Sequence, residues 1–552
     1  MITPSGASAI PDARGANLYA QDPMLARLLG LYLSADVLAH LTPHLHRLGE
    51  LAGGRLDELA GIADKHPPVL HSRNRRGEDV QRIEKHPAYE EMERLAFGEF
   101  GLAAMSHRGG ALGWPTKLPP AAKYALSYLF VQAEFGLCCP VSMTDALART
   151  LAKFGSADLV ARYLPGLTSL DMDTHSQGAM FMTEQGAGSD VSATATLASR
   201  TASDESNEPG RWQLTGDKWF CSNADAEVAL VLARRVEQGQ PAQGMRAVSL
   251  FLLPRTLPDG TPNHYRIVRL KDKLGTRSMA SGEIKFEGAH AWLIGDPEQG
   301  FKQMADMINT SRLSNGMRAA GLMRRAWFEA QHVAQHRIAF GKTIIEMPLV
   351  QRQLAKMALA AEAARTMVFF AAKLLERADA GDEQARRALR IVTPLLKFRA
   401  CRDARKVTGD AMEMRGGAGY IEEWPDARLL RDAHLGSIWE GTSNIVAGDV
   451  LRATLRENAL EALQAELQAL PIDDAPLTQL WPRAAAQVRQ VATTNQTAQT
   501  RQAATALYYA TAAWVMQWEA KQIGGDLGAQ RATIAQAIVT HKLLPRDPLA
   551  SE

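Results

Sequence analysis

One short stretch of the 552-residue chain places a carboxylate where it can act as a base. Residues 437–444 read Ser-Ile-Trp-Glu-Gly-Thr-Ser-Asn, so Glu440 lies between Trp439 and Gly441 in a mostly apolar and aromatic context. A carboxylate in such a context is poorly solvated, which makes it a stronger base. Gly441 has no side chain, so a neighbouring group such as a flat ring can approach the backbone closely.

The same stretch also fits an ordinary helix start. In that interpretation Ser437 is the N-cap and Glu440 is the third residue of a capping box. The octamer alone is compatible with both interpretations, and the other segments of the chain decide between them.

A glycine-rich loop at residues 182–190, with the sequence MTEQGAGSD, is a second candidate site. Its glycines expose backbone N–H groups, while Thr183 and Ser189 offer hydroxyls, a combination that can cradle a phosphate or the polar edge of a heterocycle. No Lys-Ser or Lys-Thr pair follows, and the glycine spacing of a dinucleotide-binding fingerprint is missing. An ordinary turn is the alternative.

Three further segments combine aromatic, cationic and glycine residues. They are KWFCSN at 218–223, RIAFGK at 337–342 and RGGAGY at 415–420. Each is compatible with a plainer role, respectively core packing, a helix end and a turn between helices.

Apolar residues at three- and four-residue intervals predict helices over residues 22–170 and 298–456. Leu25 and Leu29 belong to one such apolar face, and a second consists of Leu354, Met357, Ala361, Ala364 and Val368. Residues 477–552, rich in Ala, Gln and Leu, also have a helical pattern.

Between residues 176 and 295 the period changes to two, which predicts an antiparallel sheet with one buried face. A turn is expected at 216–217, a polar loop at 201–210 and an exposed basic loop at 66–87. The predicted fold class is α+β, mainly α. The predicted domains are a flexible N-terminal arm (1–20), an N-terminal helical domain (21–175), a middle β domain (176–295), a C-terminal helical bundle (296–456) and an extra helical domain (457–552).

The composition limits the function classes. The net charge is +2, so no overall field draws the chain to nucleic acid or membrane. The four cysteines have neither zinc nor disulfide spacing, and no metal is expected. Without a secretory signal or a long apolar run, a cytoplasmic location and no membrane association are expected.

The order and spacing of these segments resemble the acyl-CoA dehydrogenase family, which is FAD-dependent. The resemblance covers about residues 90–456 and includes the glycine loop and a K-x-G-x-R-S element at 273–278. The R-x-x-F-G-K, G-G-x-G-Y and E-G-T elements follow in the family's order. Five matched elements in one order favour the base interpretation of Glu440 over the helix cap.

The resemblance implies α,β-dehydrogenation of an acyl-CoA thioester, in which Glu440 removes the α-proton and the β-hydride passes to N5 of the flavin. Some branches place the base one residue before a helical arginine, which matches Arg312. Ser311 stands there and cannot act as the base, so Glu440 is the expected catalytic residue. The residues expected at the substrate are Arg312, Ser189 and Trp439.

The same resemblance implies a set of FAD contacts. They are expected from Met182, Thr183, Gly188, Ser189, Phe220, Ser222, Arg337, Gly417, Thr442 and Asn444. Arg337 and Gly417 match residues that hold FAD from a neighbouring subunit, which implies a homotetramer. Glu413 replaces the usual glutamine, and its charge opposes a pyrophosphate unless it is paired, for example with Arg415 or Arg337. Trp439 replaces the usual tyrosine and would narrow the acyl channel.

The N-terminal and C-terminal parts resemble an AidB-like subgroup, flavoproteins of the bacterial adaptive response to alkylation. The resemblance rests on Asn17-Leu18-Tyr19, the HPP and HPA motifs, Trp439 and the extra C-terminal piece. It raises double-stranded DNA as a partner, with weak or no acyl-CoA turnover, as an alternative function. Residues 451–552 hold nine Lys+Arg and nine Asp+Glu, a net charge of 0, whereas residues 386–406 are strongly basic. A solvated helix face is the plain interpretation of that basic stretch.

Overall fold

The computed structural model describes residues 10–200, 211–494, 496–545 and 549. These residues are mainly helical with one sheet domain, so the predicted fold class is confirmed. The chain divides into two compact units. The first unit comprises residues 1–57, 119–133 and 312–552, and the second comprises 58–118 and 134–311. The predicted domain boundaries remain predictions. The predicted loop at 201–210 and the first nine residues of the predicted arm lie outside the described residues.

Helices and small strands alternate along the chain. The N-terminal elements are α1 (Pro23–Tyr32), α2 (Ala35–Gly53), α3 (Arg55–Lys65), β1 (Val69–Arg73), β2 (Asp79–Glu84), α4 (Pro87–Glu93), α5 (Pro120–Phe130), α6 (Cys138–Phe154) and α7 (Ala157–Leu167). The middle strands are β3 (Gly178–Phe181), β4 (Leu197–Ser199), β5 (Arg211–Ser222), β6 (Val228–Glu237), β7 (Gln240–Pro241), β8 (Val248–Pro254), β9 (Tyr265–Leu270) and β10 (Ser281–Leu293). The C-terminal elements are α8 (Gly300–His336), β11 (Ile338–Ala339), β12 (Lys342–Thr343), α9 (Pro348–Asp379), α10 (Glu383–Arg415), α11 (Pro425–Gly436), α12 (Ser443–Glu457), α13 (Ala459–Gln468), α14 (Ala475–Thr494), α15 (Thr500–Ile523) and α16 (Gly525–Ile538). Within the described ranges, no helix has both the length and the apolar composition needed to cross a membrane.

The strands of the second unit form a largely closed sheet. The pairing runs β3-β6-β4-β5-β10-β8, and β8 pairs with β6 as well, which closes a circuit of strands. Most pairs are antiparallel as predicted, while β3–β6 and β4–β6 are parallel. Every residue of β8 is buried, so this strand lacks the exposed face that an alternating pattern predicts.

Two local predictions in the second unit are wrong. β5 continues through the turn expected at residues 216–217. Gly216 has φ +143°, and a Cβ there would lie 2.8 Å from the Cα of Thr196, so the glycine admits a neighbouring strand instead of making a turn. The basic loop expected at 66–87 is the β1–β2 hairpin, in which Leu70 pairs with Ile83 and both pack against the sheet core.

Long helices dominate the first unit. α9 buries Leu354, Met357, Ala361, Ala364 and Val368, which confirms the predicted apolar face. α9 packs along α10, and α15 lies against both. Apolar burial along these helices gives the unit its core.

A buried ionic network ties the C-terminal helices α15 and α16 to α9 and α1. Arg531 donates to Glu519 at 2.8 Å and to Glu362 at 2.9 Å, and Tyr32 donates its hydroxyl to Glu519 at 2.7 Å. Glu519 and Arg531 are each 0% exposed. Buried charges are tolerated when each is paired and hydrogen-bonded, and this network meets that condition.

Candidate active site

The turn between α11 and α12 presents Glu440 in an unusual backbone conformation. Glu440 has φ +48° and Gly441 has φ +100°. α11 ends at Gly436, and α12 begins at Ser443 with Thr442 in the N-cap position. The capping-box interpretation is therefore wrong, because Ser437 follows one helix and does not start the next. A left-handed non-glycine residue costs about 1–2 kcal/mol, so the surroundings must hold Glu440 in place.

Three side chains hold this turn. Arg312 Nε donates to the Glu440 carbonyl at 3.0 Å, and Lys397 Nζ donates to the Gly441 carbonyl. Asn315 Nδ2 donates to Glu440 Oε2 at 3.0 Å. The backbone and the carboxylate of residue 440 are thus oriented independently, by different donors.

The donor to the carboxylate is itself fixed. Asn315 is 0% exposed and lies one helical turn after Arg312 on α8. Its Nδ2 also approaches the carbonyl of Gly436 at 3.4 Å, while its buried Oδ1 has no hydrogen-bond partner among the described residues. Glu440 is half-buried, so its setting combines an amide donor with partial solvent access, in contrast to the mostly apolar setting expected from sequence.

Arg312 and Lys397, the two cations that donate to the turn, differ in how their charges are neutralised. Arg312 pairs with Asp449 at 2.8 Å, and Arg390 reaches the same carboxylate. Lys397 is 1% exposed, and burial lowers its pKa, an effect that the charge of Glu440 partly opposes. The Glu440 carboxylate therefore favours the charged form of the buried Lys397.

Trp439, next to the candidate base, is half-buried. Its ring centroid lies 4.6 Å from the guanidinium carbon of Arg318, which is 0% exposed. The bulky ring is thus fixed by a cation–π contact. Thr442 and Asn444 are exposed at the start of α12, where their polar groups are accessible.

In the second unit, the glycine loop and the end of β5 are adjacent. The backbone N–H of Trp219 donates to the Thr183 carbonyl at 2.8 Å. Beneath the loop, Lys218 Nζ lies 2.6 Å from Glu184, which also accepts from Thr196. Although burial opposes its charge, Lys218 and the other donors lower the pKa of Glu184. This buried pair fixes the loop that carries Met182, Thr183, Gly188 and Ser189.

The surface beside this loop suits a planar ring. Phe220 is 56% exposed, an unusual state for a large apolar side chain. If Gly188 carried a Cβ, that atom would have no neighbour within 4 Å, so there is open space beside the loop at this residue. Lys271 Nζ lies 4.8 Å from the Phe220 ring centroid, and half-buried Ser222 completes the end of β5. Met182 and Thr183 of the loop therefore lie beside the end of β5 that carries Phe220 and Ser222.

Arg337 and Gly417 also come together. Arg337 Nη1 donates to the carbonyl of Arg415 at 3.2 Å, two residues before the exposed Gly417. Arg415 is itself buried in ion pairs with Glu329 and Asp426, each at 2.6 Å. Its charge is therefore committed to those two carboxylates, and it does not form the pair suggested for Glu413.

Sequence models and several known proteins match this chain. Sequence models of three domains match consecutive parts of the chain: the adaptive response protein AidB N-terminal domain (residues 9–174), the acyl-CoA dehydrogenase middle domain (179–289) and the acyl-CoA dehydrogenase C-terminal domain (298–455). The putative acyl-CoA dehydrogenase AidB of Escherichia coli K12 is 33% identical over 468 residues, which are 82% of this chain and 80% of that protein. The chain belongs to the acyl-CoA dehydrogenase family.

Other members of the acyl-CoA dehydrogenase family are also similar. Acyl-CoA dehydrogenase family member 11 of Caenorhabditis elegans is 32% identical over 462 residues, covering 82% of this chain and 73% of that protein. The crystal structure of Caenorhabditis elegans ACDH-11 in complex with C11-CoA superposes with a TM-score of 0.89 at 27% identity, covering 99% of this chain and 94% of that one. The AidB-like resemblance is thereby confirmed, as are an FAD-dependent oxidoreductase acting on acyl-CoA and FAD as its cofactor.

The residues present fit the FAD of an acyl-CoA dehydrogenase. Phe220 offers an exposed ring face, and the loop at Gly188 leaves room for a flat group beside backbone N–H donors. Sequence reasoning missed Asn315 and Lys397, the side chains that hold the turn carrying Glu440. The spacing of Asn315, three residues after Arg312 on one helix, was a usable signal for the former. Lys397 was hidden in the basic stretch interpreted as a solvated face, although it is buried.

Proposed function

We propose that the chain dehydrogenates acyl-CoA thioesters with Glu440 as the base that removes the α-proton. The observation that carries this proposal is the 3.0 Å bond from Asn315 to the Glu440 carboxylate, on a turn held by Arg312 and Lys397. A general base must be oriented before it can take a weakly acidic proton, and these contacts orient it. When bound, FAD supplies the acceptor for the hydride.

The roles of neighbouring residues follow from their contacts. Arg312 is a positioning residue, because its donors reach Glu440 and Asp449. Trp439 shapes the approach to the base, since its ring is fixed against Arg318. Ser189 is exposed and free to meet the substrate or the flavin, as the family resemblance implies.

We assign the flavin contacts to three groups of residues. Met182, Thr183, Gly188, Ser189, Phe220 and Ser222 form the group on the sheet domain. Thr442 and Asn444 form the group at the start of α12, and Arg337 with Gly417 forms the third group. The third group supports a homotetramer, because its family counterparts hold FAD from a neighbouring subunit. Exposed apolar side chains near it, Phe340 at 94% and Tyr420 at 81%, supply surface that a subunit contact would bury.

Anaerobic titration with acyl-CoA tests the proposed reaction. Purified FAD-saturated protein is mixed with short, branched and medium-chain acyl-CoA, including an eleven-carbon chain because a solved relative holds C11-CoA. Flavin bleaching is expected with at least one chain and is expected to fall by about 10²–10⁴-fold in Glu440→Gln. Bleaching that survives in Glu440→Gln, or none with any chain, contradicts the proposal.

Association with duplex DNA is the alternative function raised by the sequence, and the structure gives it limited support. Within residues 386–406, Arg386 and Arg387 pair with Glu383, and Lys406 pairs with Asp410. Such pairs leave fewer charges for phosphates. Duplex binding that weakens steeply with rising salt would nevertheless favour this function, because phosphate contacts release counterions.

A further inference from the structure

A cavity of about 410 Å³ lies in the first unit between α10, α14, α15 and the single turn that follows α16. Arg399, Arg501 and Lys542 reach it from three different elements. Gln487 and Gln502 add amide groups to its wall. None of these residues belongs to the candidate active site or to the proposed flavin contacts.

The charge around this cavity is unbalanced. Arg399 donates through Nε to Asp403 Oδ2 at 3.0 Å and through Nη2 to Asp403 Oδ1, and the Tyr509 hydroxyl donates to Oδ2 at 2.7 Å. Asp403 is thus already shared by two donors. Arg501 and Lys542 form no ion pair with any carboxylate in the described part of the chain.

A neighbouring arginine shows the same crowding of positive charge. Arg402 lies one helical turn from Arg399 on α10, and its buried Nε has no hydrogen-bond partner among the described residues. Burial and then the nearby guanidinium groups of Arg501 and Arg399 lower the pKa of Arg402. Burial likewise lowers the pKa of Lys542. An anion in the cavity would relieve this repulsion.

The lining also fits an organic group attached to the anion. Phe398, 2% exposed, provides an apolar wall, and Thr505 adds a hydroxyl. Arg501 is the second residue of α15, a 24-residue helix whose first N–H groups and positive dipole end favour an anion. A cavity of this size matches a small ligand, whereas duplex DNA requires an extended surface.

We propose that this cavity binds a phosphomonoester of mononucleotide size, with the phosphate held by Arg501 and Lys542 beside the Arg399–Asp403 pair. Arginine suits this task because its planar fork binds phosphate oxygens in pairs. The amides of Gln487 and Gln502 then face the organic part. The proposal is independent of the dehydrogenase reaction, since no residue is shared.

Equilibrium dialysis on FAD-saturated protein tests this site with AMP as the probe. Adenosine and inorganic phosphate are the two partial probes, and a short DNA duplex is the macromolecular probe. Arg501→Gln and Lys542→Gln each remove one charge from the cavity. Arg483→Gln is the matched control, because Arg483 is an exposed arginine of α14 that does not line the cavity.

AMP is expected to bind to the natural protein, and adenosine is expected to bind at least tenfold more weakly. Each cavity variant is expected to weaken AMP binding by about tenfold, which is the usual effect of losing one charge-assisted contact. Arg483→Gln is expected to bind AMP like the natural protein. The proposal is overturned if AMP does not bind at millimolar concentration or if Arg483→Gln weakens it equally. The proposal is also overturned if the cavity variants weaken binding of the DNA duplex alone and AMP does not compete with the duplex.

Discussion

Replacing Asn315 by leucine tests how Glu440 is held. The substitution keeps the approximate volume and removes the Nδ2 donor that lies 3.0 Å from Glu440 Oε2. A hydrogen bond to a charged group contributes about 1.5–3 kcal/mol. Each 1.36 kcal/mol is a factor of ten, so flavin reduction near neutral pH is expected to slow by about tenfold to a hundredfold.

A comparison of binding with chemistry separates orientation of the base from general damage. The Asn315 amide acts on the carboxylate that takes the α-proton, so its loss is expected to slow flavin reduction while the KM for acyl-CoA changes little. Flavin content and Tm are measured alongside, because a damaged fold would change those two quantities as well.

A second buried amide on α8 provides the matched control. Gln303 is 4% exposed and donates to the Asp296 carbonyl at 3.0 Å. Gln303→Leu is expected to lower the Tm and to leave the rate of flavin reduction unchanged. An unchanged rate of flavin reduction in Asn315→Leu, with flavin content and Tm retained, would refute the role assigned to Asn315.

Three other substitutions test the turn, the glycine loop and the subunit contact. Gly441→Ala should destabilise the protein by about 1–3 kcal/mol in urea unfolding, because φ is +100° and a Cβ would lie 3.2 Å from two side chains; an unchanged midpoint would contradict this. Lys218→Met should cost about 3–5 kcal/mol and reduce FAD retention, since Glu184 is left buried without its cation. The pKa of Glu184 is lowered in the folded protein, although burial opposes this, so the Lys218–Glu184 pair stabilises the natural protein above about pH 4.3. This stabilisation is lost as the pH falls through the pKa of Glu184 in the folded protein. Identical acid unfolding of the natural protein and Lys218→Met would contradict this role of the pair. If the proposed tetramer forms, Phe340→Asp should lower its mass in light scattering without lowering helicity, and an unchanged mass would exclude Phe340 from the proposed interface.

The sequence was sufficient for features that depend on local pattern. The helical face of α9 and the strands β5, β6 and β8 follow directly from apolar spacing. The family motifs were recognisable for the same reason, because their residues are close together in sequence. Glu440 was selected as the candidate base from its neighbours, and that role remains a prediction.

Features that depend on distant contacts could not be read in this way. Asn315 and Glu440 are 125 residues apart, and Lys397 and Gly441 are 44 apart, so their bonds appear only when α8, α10 and the turn are packed. The pattern Ser-x-x-Glu at 437–440 suggested a capping box, but the left-handed backbone at Glu440 ends that possibility.

The β1–β2 hairpin was mistaken for a loop for a related reason. Only Leu70 and Ile83 pack against the sheet core, one from each strand, and the arginines around them conceal the alternation. Arg73 pairs with Asp79 across the hairpin, so its charge supports the fold locally. A strand that buries a single apolar side chain leaves too weak a period to detect.

The ionic network around Arg531 constrains how the protein is made. Glu519 and Arg531 pair with Tyr32 and Glu362, which are synthesised much earlier. Until the C-terminal helices emerge, Glu362 lacks one of its cationic partners, and burying an incompletely paired charge costs several kcal/mol. The first unit therefore reaches its final packing only after α15 and α16 have emerged from the ribosome. During elongation, the surface of α9 that α15 and α16 later cover is open to chaperones, so chaperone supply and growth temperature should govern the soluble yield.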